Sequence, residues 1–198
     1  MTIQPTISKE DINQLPKAEF SGRIYVILTE DEANRAVNFL LGHQVLGIDS
    51  ETRPSFAKGQ THKVALLQVA TDEACFLFRL NRMGLPPSLI RLLESTDVVK
   101  VGLSLKDDFL MLKKRAPFKP ASCIDLQDCV TRFGIQDKSL QKIYANLFGE
   151  KISKSQQLSN WESDVLTEKQ QQYAATDAWA CLRIYRLLQT MNPGENAP

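Results

Sequence analysis

The stretch Val45-Leu46-Gly47-Ile48-Asp49-Ser50-Glu51 constrains the fold more than any other part of the chain. It is an apolar run of strand length that ends in an acid, a spacer and a second acid. Side chains at i and i+2 of a strand share a face, so Asp49 and Glu51 project together from the end of a strand that reads as buried. Two adjacent anions repel each other, and a shared cation relieves that repulsion. Hard divalent ions such as Mg²⁺ take oxygen ligands of this kind. A chain with 23 acidic residues can produce one Asp-x-Glu by chance, so the pair gains weight only from partners elsewhere.

Two further segments supply those partners. Lys100 to Phe109 reads as a short strand turning into a helix, with Ser104 as N-cap and Asp107 completing a capping box. At about 100° per residue, Leu105, Phe109 and Leu112 form the inward stripe; Asp107 falls nearly opposite it and Asp108 close beside it. The wheel therefore assigns Asp107 to the cap and Asp108 to the site. The last helix starts at Thr167, with Gln170 completing a capping box, and runs to about Gln189. Its apolar stripe is Ala174, Ala178, Cys181, Leu182, Tyr185 and Leu188, and Tyr173 and Asp177 sit on neighbouring turns at one edge of that stripe. A carboxylate at such an edge needs a partner, and the phenol one turn earlier reaches whatever the carboxylate binds.

In this order the motifs resemble the DEDD 3'-5' exonucleases of the ribonuclease-H-like fold, in the subgroup with a tyrosine in its third motif. The likeness covers about residues 23 to 190. Asp49-x-Glu51 is similar to the first motif, Asp108 to the end of the second and Tyr173-Ala174-Ala175-Thr176-Asp177 to the third. Ser159-Asn160-Trp161, Leu166-Thr167 and Gln170 are most similar to ribonuclease D and to the Werner-syndrome exonuclease domain. The sister subgroup has a histidine five residues before the last aspartate, where this chain has Gln172. The resemblance implies catalytic residues Asp49, Glu51, Asp108, Tyr173 and Asp177, the four acids being metal ligands for two divalent ions, Mg²⁺ or Mn²⁺. Asp49 would share both ions, Glu51 and Asp177 would hold one, and Asp108 the other. Such ions flank a scissile phosphodiester about 4 Å apart, and Tyr173 would orient the attacking water. The implied substrate is a single-stranded or 3'-recessed end, DNA being favoured over RNA through the Werner-like motifs, and the products are nucleoside 5'-monophosphates. No organic cofactor is implied.

Composition sets outer bounds. The chain has 198 residues, of which 43% are hydrophobic and 24% charged, as expected for one globular domain. The expected division is an N-terminal extension over 1–22, the exonuclease domain over 23–190 and a disordered tail over 191–198. Neither a signal peptide nor a membrane span is expected, and a cytoplasmic location follows. Cys75, Cys123, Cys129 and Cys181 have no C-x-x-C pairing, and with two histidines in the chain a zinc site and a disulfide framework are both disfavoured. A net charge of +1 speaks against long phosphate contacts. Lys113-Lys114-Arg115 with Lys119 reads as a solvated helix end; Lys151 and Lys154 are better placed to touch substrate backbone.

Along the chain, 23–29 reads as a strand and 31–41 as a helix. Val64 to Val69 and Cys75 to Phe78 read as a hairpin around Thr71-Asp72-Glu73. From residue 87 the rhythm is helix, strand, helix, strand, helices. The expected architecture is α/β and ribonuclease-H-like: a mixed central sheet, antiparallel in its first strands and parallel in its later ones, with helices on both faces. Arg53 and Phe56, in the loop after Glu51, are placed to touch a terminal nucleotide, with a plain loop role as the equal alternative, whereas Trp161 reads as a packing residue. Three alternatives stand beside a DNA exonuclease: ribonuclease-D-like RNA 3'-end processing, a non-catalytic nucleic-acid-binding module of the same fold, and a divalent-metal site for other phosphate-ester chemistry.

Overall fold

A six-stranded sheet carries the acidic strand at its centre in the computed structural model, which describes residues 3–57 and 59–191. Its strands are β1 (Arg23–Ile27), β2 (Val45–Glu51), β3 (Leu66–Ala70), β4 (Ala74–Arg79), β5 (Val99–Gly102) and β6 (Cys123–Asp125), in the order β1-β4-β3-β2-β5-β6. β3 pairs antiparallel with both β2 and β4, while β1–β4, β2–β5 and β5–β6 are parallel. The hairpin expected around Thr71 to Glu73 is β3–β4. The antiparallel character belongs to β3 alone, because β1 is carried past β2 and β3 to the far edge of the sheet.

The helices are α1 (Lys9–Gln14), α2 (Glu30–Leu40), α3 (Leu80–Met83), α4 (Pro87–Glu94), α5 (Leu105–Leu112), α6 (Leu126–Val130), α7 (Leu140–Phe148) and α8 (Glu168–Gln189). Alternation along β2 divides them. Leu46 and Ile48 join one cluster with α2, α4 and α5, and the opposite face of the sheet carries α6, α7 and α8. α8 is buried almost all round, its Ala174, Ala175, Ala178, Ala180 and Leu182 being wholly inaccessible. Small side chains there let α8 lie close to the sheet. Gly47 completes the approach, since a Cβ at this position would stand 2.0 Å from the carbonyl oxygen of Ala178.

The N-terminal extension is tied to the domain along its length. Gln4 and Asn146 exchange two hydrogen bonds, at 3.1 and 2.6 Å. The Ile7 amide donates to Asp137 Oδ2 at 2.8 Å, the Ala18 amide donates to the Lys151 carbonyl at 2.8 Å beside a parallel bridge between Lys17 and Lys151, and the Phe20 amide donates to Thr176 Oγ1 on α8 at 3.1 Å. Ile3, Ala18 and Phe20 are buried, and their removal from water stabilises the docked arrangement. The tail expected to be disordered lies outside the described residues but for Met191.

Candidate active site

Asp49 and Glu51 leave the carboxyl end of β2 on the face covered by α8, and α8 returns Asp177 to meet them. One carboxylate oxygen from each of the three lies within 4.8 Å of the others. Tyr173, one turn before Asp177, lines the same cavity of about 290 Å³ together with Lys154, Gln141 and Gln157. The α8 start follows the sequence closely: Thr167 and Gln170 form both halves of a capping box. The Gln170 amide also donates to Ser159 Oγ and the Asn160 carbonyl, at 3.0 and 3.2 Å. This fixes the Ser159-Asn160-Trp161 segment against the helix. Trp161 is wholly buried, its ring 5.9 Å from that of Tyr173, so it packs as expected and holds the tyrosine in place.

Asp108 arrives from the other side. α5 packs on the face of the sheet opposite α8, and Asp108 Oδ1 accepts a hydrogen bond from Ser50 Oγ at 2.8 Å. Ser50 is the spacer between the two acids of β2 and points away from them. Asp108 thus flanks the strand end without joining the three-carboxylate cluster, and the two later helices meet at β2 from opposite faces of the sheet. Asp107 is exposed, as the helical wheel requires.

The capping box expected at α5 is absent. Ser104 sits in the left-handed region, at φ 58°, and its side chain caps nothing. A left-handed residue points its hydroxyl away from the first helical amides, so the cap comes from another element. Asp125, at the end of β6, accepts from the amides of Ser104 at 3.1 Å and Leu105 at 2.8 Å. Its side chain also caps α6 through Gln127 N at 3.0 Å. One carboxylate therefore sets the starts of two helices, including the one that aims Asp108.

The electrostatics follow from burial. Asp49 and Glu51 keep an edge open to the cavity, yet sheet and helix shut most bulk water out. Burial, then the charges of Asp108 and Asp177, raises Asp49 well above the ordinary carboxylate range. Burial followed by Asp49, Asp177 and Asp108 raises Glu51 to about 10. Asp177 is raised by burial to about 7, tempered by the Tyr173 phenol and by Lys154. Burial raises Asp108 to about 6, opposed by the Ser50 hydroxyl. Burial and the three neighbouring carboxylates push the Tyr173 phenol upward, so it remains protonated at neutral pH. Oxygen donors that repel one another and resist ionisation are the donor set a divalent cation satisfies. The cluster fits a metal.

Other expectations are redistributed. Arg53 pairs with Glu162 at 3.3 Å, while Phe56, in the same loop, is 84% exposed. Lys154 lines the acid cavity, whereas the Lys151 ammonium donates to the Asn13 carbonyl of the N-terminal extension. In the basic cluster after α5, Arg115 donates to Val64 O at 2.6 Å and Lys113 lies over Phe118, which is a structural use. Four features escaped the sequence reading: Ser50, Asp125, the docked extension and Gln68. Gln68 stands directly across from Asp49 in the β2–β3 register, wholly buried and with neither amide atom partnered. A lone amide in the apolar run Val64 to Val69 was the signal that could have found it.

Residues 24–192 match the family model of the 3'-5' exonuclease domain. The chain belongs to the 3'-5' exonuclease family. The mouse bifunctional 3'-5' exonuclease/ATP-dependent helicase WRN is 32% identical over 190 residues, covering 89% of this chain and 13% of the mouse protein. An Arabidopsis thaliana 3'-5' exonuclease is 30% identical over 201 residues, covering 93% of this chain and 70% of that protein. In fold the chain is similar to Escherichia coli RNase D, described as an exoribonuclease involved in structured RNA processing. The TM-score is 0.77 at 20% identity, covering 85% of this chain and 44% of RNase D. No helix among the described residues is long and apolar enough to cross a membrane.

Proposed function

We propose that this chain removes nucleotides one at a time from a single-stranded or 3'-recessed end and releases nucleoside 5'-monophosphates. The observation that carries the reading is the convergence of Asp49, Glu51 and Asp177 beside Tyr173 in a member of this family. Asp49 would hold two ions in common, Glu51 and Asp177 would complete the site of one, and Asp108 would serve the other directly or through water. When bound, Mg²⁺ or Mn²⁺ would lower the pKa of the attacking water and neutralise charge on the departing 3'-oxygen.

The chain's own groups would do the rest. Tyr173, packed against Trp161, would orient the attacking water and is placed to help remove its proton. Ser50 would keep Asp108 turned toward the strand end. Phe56, exposed on the loop that leaves Glu51, offers a face for the terminal base to stack on. DNA is the favoured substrate: the Ser159-Asn160-Trp161 segment is Werner-like, and the mouse WRN protein is 32% identical over 190 residues. RNA 3'-end processing is the second reading, favoured by the likeness in fold to RNase D. We place the protein in the cytoplasm, where its four unpaired cysteines stay reduced.

The test is a time course on 5'-labelled single-stranded and 3'-recessed DNA with matched RNA, in Mg²⁺, Mn²⁺ and chelator, beside Asp49→Ala. A metal-dependent ladder shortening from the 3' end, absent in the variant, is expected, with DNA degraded faster. Intact substrate under every condition, with divalent metal bound, would instead indicate a binding module.

A further inference from the structure

The N-terminal extension, which precedes the family-matched region, walls a groove that reaches the acid cavity. The groove has a volume of about 410 Å³ and is lined by five lysines, Lys9, Lys17, Lys142, Lys151 and Lys154, with no acidic side chain in its lining. On α1, Lys9, Ile12 and Asn13 face it, while Glu10 and Asp11 fall outside the lining. Two lysines are matched by acids: Lys17 pairs with Glu19, and Lys142 with Asp137 at 2.9 Å. Lys151 takes only a backbone carbonyl, which leaves its charge uncompensated, and Lys9 and Lys154 form no ion pair among the described residues. Three positive charges without an ion-pair partner among the described residues thus share one groove in a chain whose net charge is +1.

Position adds to the charge. Lys154 and Gln141 line both the groove and the acid cavity, so the two adjoin at these residues. The carboxylates cannot neutralise a polyanion approaching them, whereas Lys154 lines their cavity and the other four lysines line the groove beside it. We propose that the groove holds the phosphodiester backbone of the substrate strand upstream of the scissile bond, with the N-terminal extension as one wall. The inference rests on the exonuclease reading and adds a strand path to it: the 3' end lies among the carboxylates, and the preceding phosphates pass Lys154 toward Lys9 and Lys17.

The experiment is a salt titration of binding, read by fluorescence anisotropy in chelator, on single strands of about 12 nucleotides. Both DNA and RNA are used, with the 3'-end ladder assay run in parallel. The proteins are wild type, Lys9→Ala/Lys154→Ala, and Lys114→Ala/Lys119→Ala, which makes the same charge change at exposed lysines outside the groove. Each lost phosphate contact lowers the slope of log K against log salt by about 0.7 on a single strand. The groove variant should therefore bind both strands with a slope shallower by about 1.4, while the other variant keeps the wild-type slope and all three melt together. A groove variant with the wild-type slope, or an equal loss in both variants, overturns the proposal even if the ladder persists. Wild type that neither binds nor shortens either strand sinks the exonuclease reading itself.

Discussion

Gly47→Ala should move the candidate active site without touching any of its residues. Gly47, Asp49 and Glu51 share the face of β2 under α8, and a Cβ at 47 would stand 2.0 Å from Ala178 O, 3.0 Å from Ala178 C and 3.0 Å from Leu182 Cβ. A carbon beside a carbonyl oxygen settles at roughly 3.3 Å, so α8 must withdraw by about 1.3 Å at that point. The opposing oxygen belongs to the backbone, and no side-chain rotation relieves the clash. Asp177 immediately precedes Ala178 and travels with it, opening the 4.8 Å cluster. Overpacking of this kind costs roughly 1–3 kcal/mol, at about 2–4 °C of Tm per kcal/mol for a domain of this size. A misplacement of about 1 Å costs on the order of 100-fold in rate. Thermal melting and kcat/KM on a 5'-labelled strand, with a Mn²⁺ titration, read all three effects. A Gly47→Ala variant with wild-type Tm and a rate within about twofold of wild type would refute the claim that strand–helix contact sets the site. A lower Tm with normal kcat/KM would show that α8 yields without carrying Asp177.

Asp108→Asn should lose nearly all activity and Asp107→Asn should keep most of it; the reverse pattern in the ladder assay would overturn the placement of Asp108. Asp125→Asn turns an amide donor toward backbone amides that now donate to a carboxylate, a mismatch worth about 1–3 kcal/mol. Both Tm and kcat should fall, and an unchanged Tm would deny Asp125 its capping role. Tyr173→Phe should slow turnover strongly while leaving the half-saturating Mn²⁺ concentration nearly unchanged, as checked by metal titration. In metal-free buffer, Asp108 and Asp177 are raised in the folded state from 3.8 to about 6 and about 7. The folded protein then holds more protons than the unfolded chain above about pH 4, so their contribution to stability is lost as pH rises through about 7. Asp177→Asn should flatten the decline in chemically measured stability over that window, and Mg²⁺ should counter it by binding the ionised forms.

Much of the site was legible because its pieces are periodic. Asp49 and Glu51 share a face by the two-residue period of a strand, Tyr173 and Asp177 share an edge by the four-residue spacing of a helix, and the capping box at Thr167 predicts the start of α8 to the residue. The same reasoning separated Asp108 from Asp107. It failed at Ser104, where the capping-box pattern is present but the backbone is left-handed and the cap is lent by Asp125, 21 residues on. Local pattern carries no record of which distant group will be nearer. Lys151 shows the same limit: its segment lies beside the site, yet its ammonium is taken by α1's Asn13.

By itself the sequence determined the kinds of element, the acids each presents, and the family to which their order belongs, because these depend on neighbours within a turn or two. Only the tertiary structure decided that α5 and α8 approach β2 from opposite faces. It also decided that Gly47 admits α8 to contact, that Gln68 lies buried opposite Asp49, and that the N-terminal extension walls a lysine groove. Those outcomes depend on the summed packing of residues far apart in the chain, where a single missing Cβ or one borrowed carboxylate sets a distance that no local period encodes.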